Sequence, residues 1–172
     1  NLEYVAVPRE GGIEEMLDEE VPIDAVERNQ CFHLIIPNHD YIAHAVSKDG
    51  IAWSRVKNAM FVGDPGEWDD DMLWTMDVTD LDDGTFEMFY TGLQLEDRGV
   101  NQRVGRAVST DLINWEKTFP NDLPIESLAP HYEDLENNPR TWLSFRDPYL
   151  YKKGKEEYLL ICGRASYGPV YR

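Results

Sequence analysis

Cysteine is scarce in this sequence: Cys31 and Cys162 are the only two, and both stand inside apolar runs. Two distant cysteines make no disulfide framework, and neither has metal-ligand spacing. Buried free thiols are the expectation, which leans towards a reducing, cytoplasmic compartment. The chain starts at Asn1, so a removed leader stays open. Basic residues are also few, 16 against 33 acidic ones, for a formal charge of −17. Nucleic acid and anionic membrane are poor partners for such a surface, because phosphate recognition rests on Lys and Arg. Neutral or cationic ligands suit it. No apolar run nears the ~20 residues that cross a bilayer. There is no Gly-rich phosphate loop and no Gly-x-Ser-x-Gly elbow. His33, His39, His44 and His131 lack metal spacing, and neither metal nor cofactor is expected.

What the chain does have is β character. Hydrophobic residues make up 42%, a globular composition. Residues 31–36, 41–46, 86–91, 103–108, 147–151 and 158–162 are short runs rich in β-branched and aromatic side chains. Turn signals separate them, and "DDGT" at 82–85 reads as a hairpin. Only "GGIEEMLDEE", residues 11–20, has helical composition. Residues 119–140 read as a long surface loop. "WDDD" at 68–71 reads as a solvated acidic turn rather than a calcium site.

The organising feature is an internal repeat. "HAVSKDGIAWSRV" from His44 and "RAVSTDLINWEKT" from Arg106 lie 62 residues apart, and each follows a hairpin-like pair. A third copy opens at Asp147. Such units cannot bury both faces alone, and stacking them makes the core. The expected fold is all-β, with four-stranded antiparallel blades of a β-propeller. Within each repeat, Ser47 with Asp49, and Ser109 with Asp111, are expected to bond local backbone. Trp53 and Trp115 are expected to pack an outer strand against the next blade.

An aspartate precedes each hairpin: Asp24, Asp77 and Asp147. Asp77 and Asp147 each stand seven residues before a turn glycine, Gly84 and Gly154. If all three head the innermost strands of successive blades, their carboxylates converge. Convergent carboxylates serve general acid–base chemistry. Arg146 is placed to hold Asp147 ionised through a charge-assisted bond or to bind a ligand hydroxyl.

"AHAVSKDGIAW", "GEWDDDMLWTMDV", "DGTFEMFYTG", "QRVGRAVSTDLINW" and "FRDPYLY" resemble the five-bladed propeller glycosidases of glycoside hydrolase families 32, 43 and 68, the β-fructosidase-like superfamily. The resemblance implies a glycosidase acting on fructosides, arabinosides or xylosides, with carbohydrate as its partner. It implies a nucleophile or base on the first blade, for which Asp24 is the candidate, although no Asn-Asp-Pro-Asn pattern flanks it. It implies that Asp147, in Arg-Asp-Pro, stabilises the transition state or tunes the acid. The acid, a glutamate, has no match before Arg172 and is expected in a later blade. Where the family reads Trp-Ser-Gly-Ser or Trp-Thr-Gly-Ser, this chain reads Trp74-Thr75-Met76-Asp77. That departure alters the substrate or moves a catalytic role onto Asp77. Trp68, Trp74, Trp142 and Tyr167 are candidates to stack on sugars, with core or interface packing the expected role of any single one, and Arg164 and Tyr167 stand where a loop can reach a pocket.

At about 60 residues per unit, the chain supplies about two and a half blades of a five-bladed whole, so part of a longer protein is expected. Residues 1–172 then form part of one catalytic propeller domain, with blade I at about 20–58, blade II at about 72–118 and blade III from about 144. A carbohydrate-binding propeller without catalysis, and a phosphorylase like the mannoside-acting propellers, are the alternatives.

Overall fold

The computed structural model describes residues 32–118, 124–127, 131–134 and 142–165. The described residues hold nine strands and no helix. The helix expected at 11–20, the strand expected around Asp24, and Cys31 lie outside them.

Strands β1 (Phe32–Asn38), β2 (Tyr41–Ser47) and β3 (Ser54–Phe61) form the first sheet. The second, in the order β4-β5-β6-β7, holds β4 (Met72–Asp80), β5 (Phe86–Leu93), β6 (Arg103–Ser109) and the short β7 (Glu116–Lys117). The third pairs β8 (Phe145–Lys153) with β9 (Glu156–Gly163). All strand pairings within the sheets are antiparallel. These are stacked propeller blades.

The repeat is visible in register. Phe32 pairs with Ser47 in the first sheet, and Phe86 with Ser109 in the second. β1 is therefore the counterpart of β5, the second strand of its blade. β3 and β4 carried no strand signal in the apolar runs. β3 is an edge strand with Arg55, Lys57 and Asn58, polar residues that suit an edge. β4 has its alternation interrupted by a bulge between Leu73 and Met76.

The core lies between the first two sheets. Ile42, Ala59 and Met60 meet Leu73, Val78, Met88, Tyr90 and Ala107 there. Period-two alternation turns these residues inward. Trp68 stacks on Tyr90 with ring centroids 5.7 Å apart and runs across Gly92 and Gly105. A Cβ on Gly92 would come within 2.5 Å of the indole, and one on Gly105 within 2.6 Å, so both glycines are needed for this approach. Trp68, a candidate for sugar stacking, is thus used in packing.

The loop before β4 departs from expectation. Asp69 is not solvated: it is buried, accepting from the Tyr90 hydroxyl at 2.8 Å and pairing with Lys117 Nζ at 2.7 Å. Asp70 accepts from the Gly66 and Leu95 amides. The acidic triplet fastens its loop to the second sheet. Cys162 is a free thiol, but exposed rather than buried, because β9 is exposed along most of its length.

The Ser-x-Asp turns form as the spacing suggests. Ser47 Oγ donates to Asp49 Oδ1 at 3.0 Å, which also accepts from the Ile51 and Ala52 amides. Ser109 and Asp111 repeat this, with the Ile113 and Asn114 amides as donors. Burial alone would raise the Asp111 carboxyl, but these donors and the Asn114 side chain hold it at about 2. Trp115 donates to the Leu112 carbonyl at 2.9 Å and lines a hollow with Lys57, Ala59 and Phe61 of β3. It therefore faces the preceding blade rather than the next.

His44, buried on β2, lies 2.9 Å from His33 between their ring nitrogens. Burial first, then the neighbouring His33, push its imidazole down from 6.5 to about 3, against Asp111.

Two predictions follow from these contacts. Asp111→Ala should cost about 1–2 kcal/mol in urea unfolding, the scale of a lost cap. For His44 the folded value lies below the unfolded one, so its contribution is full above 6.5 and is lost as pH falls towards about 3. The urea midpoint should drop between pH 7 and pH 4.5, and His44→Leu should make that drop shallower.

Candidate functional site

The Arg-Asp-Pro segment opens β8. Phe145 pairs with Gly163 and Arg146 with Cys162; pairing then breaks and resumes at Tyr149 with Leu160. Asp147 and Pro148 occupy this bulge. Proline suits it because it has no N–H to give to a ladder. Asp147 has φ +56°, a left-handed backbone that costs a non-glycine residue roughly 1–2 kcal/mol.

Neighbours from the second sheet hold this conformation. The Asp147 amide donates to Thr91 Oγ1 at 3.1 Å, and Thr91 is fully buried. Thr75 Oγ1 donates to Asp147 Oδ1 at 2.7 Å. Arg146 Nε lies 3.3 Å from the other oxygen, Oδ2. Arg146 is itself set by buried Gln102, whose Oε1 accepts from Arg146 Nη1 at 3.2 Å and from the Phe145 amide at 3.3 Å. The Asp147 side chain nevertheless stays 44% exposed, so a rigidly placed carboxylate remains open to a ligand.

β4 carries the same device. Its bulge holds Trp74 and Thr75, between Leu73 paired with Gly92 and Met76 paired with Tyr90. Aligned by their bulges, Trp74 corresponds to Asp147, Thr75 to Pro148 and Asp77 to Leu150. The expectation that Asp77 heads its strand is therefore corrected. Counting back from the turn glycines misled by three residues, because the loop joining β4 to β5 spans 81–85 and that joining β8 to β9 spans 154–155. Asp77 lies mid-strand and buried, with Oδ2 accepting the Leu150 amide at 2.9 Å.

The other candidates fall in three groups. Trp74 is half-buried in the β4 bulge, beside the Thr75 that touches Asp147. Trp142 is exposed just before Leu143, whose amide donates to the Val100 carbonyl. Arg164 pairs with buried Glu133 at 3.2 Å, and its carbonyl accepts the Glu133 amide. Asp24 and Tyr167 lie outside the described residues. Sequence reasoning missed Thr75, Thr91 and Gln102; nothing in composition marks them, because their role depends on which strands become neighbours. A hollow of about 200 Å³ opens beside Gln102, lined also by Asn101, Arg103, Glu126 and Ser127. Arg103 is held there between Asp97 at 2.9 Å and Glu126 at 2.7 Å.

Stacked blades of antiparallel sheet, joined across their interface by the contacts at the β8 bulge, define a β-propeller domain. The chain belongs to the family of the glycosyl hydrolases family 32 N-terminal domain, whose model matches residues 30–171. No curated protein matches it.

Thr91→Val should leave the Asp147 amide without this acceptor and cost about 1–3 kcal/mol in urea unfolding, whereas Thr91→Ser should cost less.

Proposed function

We propose that this domain contributes Asp147 to a glycosidase site that cleaves fructosides. The observation that carries the reading is the exposed Asp147 carboxylate, oriented by Thr75 and Arg146 on a left-handed bulge. Glycosidic cleavage passes through an oxocarbenium-like state, which a fixed anion stabilises. Membership of family 32 favours fructosides over arabinosides or xylosides. Asp24 is the proposed nucleophile or base, and the general acid comes from a glutamate elsewhere in the intact protein. Trp74 and Arg146 are the proposed sugar contacts beside Asp147, and Trp142, Arg164 and Tyr167 are further candidates.

One observation favours a second reading, sugar binding without hydrolysis. Asp77 is buried and engaged, so it adds no second open carboxylate beside Asp147. A phosphorylase finds less support: Arg103, Arg146 and Arg164 are each already paired with carboxylates.

In the intact protein, Asp147→Asn should lower kcat/KM on sucrose at least about a hundredfold. Hydrolysis at the parental rate would remove Asp147 from the chemistry. Sugar binding with no hydrolysis in the parent would select the second reading.

A further inference from the structure

We propose that Asp77 is a positioning residue, a carboxylate clamp that fixes the β8 bulge and through it the direction of the Asp147 side chain; this rests on the glycosidase reading above. In the two-stranded sheet β8-β9, alternate amides of β8 point away from β9. Two residues of the neighbouring blade accept two β8 amides, one inside the bulge and one just beyond it. Thr91 takes the Asp147 amide at 3.1 Å, and Asp77 takes the Leu150 amide at 2.9 Å. Between them stand Pro148, which has no amide proton, and Tyr149, where pairing with β9 resumes.

The side chain is itself steadied. Thr79 Oγ1 lies 3.4 Å from the same Oδ2, Asp77 pairs with Phe89 across β4 and β5, and the residue is 8% exposed. It faces a backbone donor on the next blade instead of solvent. Asp77 stands where a serine is expected from the resemblance, so here a carboxyl group sits at the interface between blades and its oxygen takes the Leu150 amide. Anchoring Leu150 limits the slack through which the strained bulge would relax to an ordinary extended backbone, which would swing the Asp147 carboxylate away from Thr75. Asp77 thus acts on chemistry through Asp147 and touches no substrate.

The test compares Asp77→Ala with Asp77→Asn in the intact protein. The amide oxygen of asparagine still accepts from Leu150; alanine has no acceptor. On sucrose, alanine should lower kcat at least about tenfold with KM within about twofold, and asparagine should restore kcat to within about threefold of the parent. A loss with asparagine as large as with alanine would make Asp77 a chemical participant and overturn the clamp. Unchanged kcat with alanine would also overturn it. Amide hydrogen exchange at Leu150 gives a readout independent of activity: at least about tenfold faster with alanine, and near parental with asparagine. Equal protection in both variants sinks the clamp even if the parent is active. If the parent cleaves no fructoside, the glycosidase reading fails on that result, and the exchange measurement still decides the clamp.

Discussion

Asp147 keeps its left-handed backbone because the adjacent blade meets its donor and acceptor groups. Thr91 accepts its amide, Thr75 donates to its carboxylate, and Asp77 holds the strand three residues further on. Each contact crosses from the second sheet to the third. The candidate site is therefore a property of the blade interface, and blade packing and site geometry stand or fall together. A strained residue persists only where its surroundings over-determine it. Here they do so with buried side chains: Thr91 is fully buried, and Gln102 and Asp77 nearly so.

The second blade is consequently the foundation. Its own rigidity comes from an uncommon use of charge. Buried Asp69 pairs with the partly exposed Lys117 and also accepts from the Tyr90 hydroxyl. Burial, with the Asp69 charge beside it, pushes the Tyr90 phenol well above its ordinary value. Such a pair specifies geometry more than it adds stability, because desolvation offsets most of the attraction. It fixes the loop that lays Trp68 across Gly92 and Gly105. The strongly acidic composition thus conceals two populations of carboxylate. Some, such as Asp49, cap turns at the surface; others, such as Asp69 and Asp77, are internal fasteners.

The repeated Ser-x-Asp turns show how far local chemistry reaches. Their hydrogen bonds join residues two or three apart, so sequence spacing was enough to read them. The hairpin at Gly154 and the strand runs at 41–46 and 103–108 were legible for the same reason. The edge strand β3, short of apolar alternation, and the bulged β4 were not. Trp115 was placed against the wrong neighbour, since an indole's spacing does not say which blade it faces.

By itself the sequence determined the β character, the repeat, the turn chemistry and the distinctive Arg-Asp-Pro segment, because these depend on neighbours along the chain. Only the tertiary structure decided the alignment of the aspartates. Loops of different length shifted the strands, and the shared bulges set Asp77 against Leu150 and Trp74 against Asp147. It also decided that Cys162 is exposed, that Asp69 is buried, and that two threonines and a glutamine frame the carboxylate. These outcomes depend on contacts between blades some 70 residues apart in the chain, and no local pattern encodes which donor will meet which acceptor across such an interface.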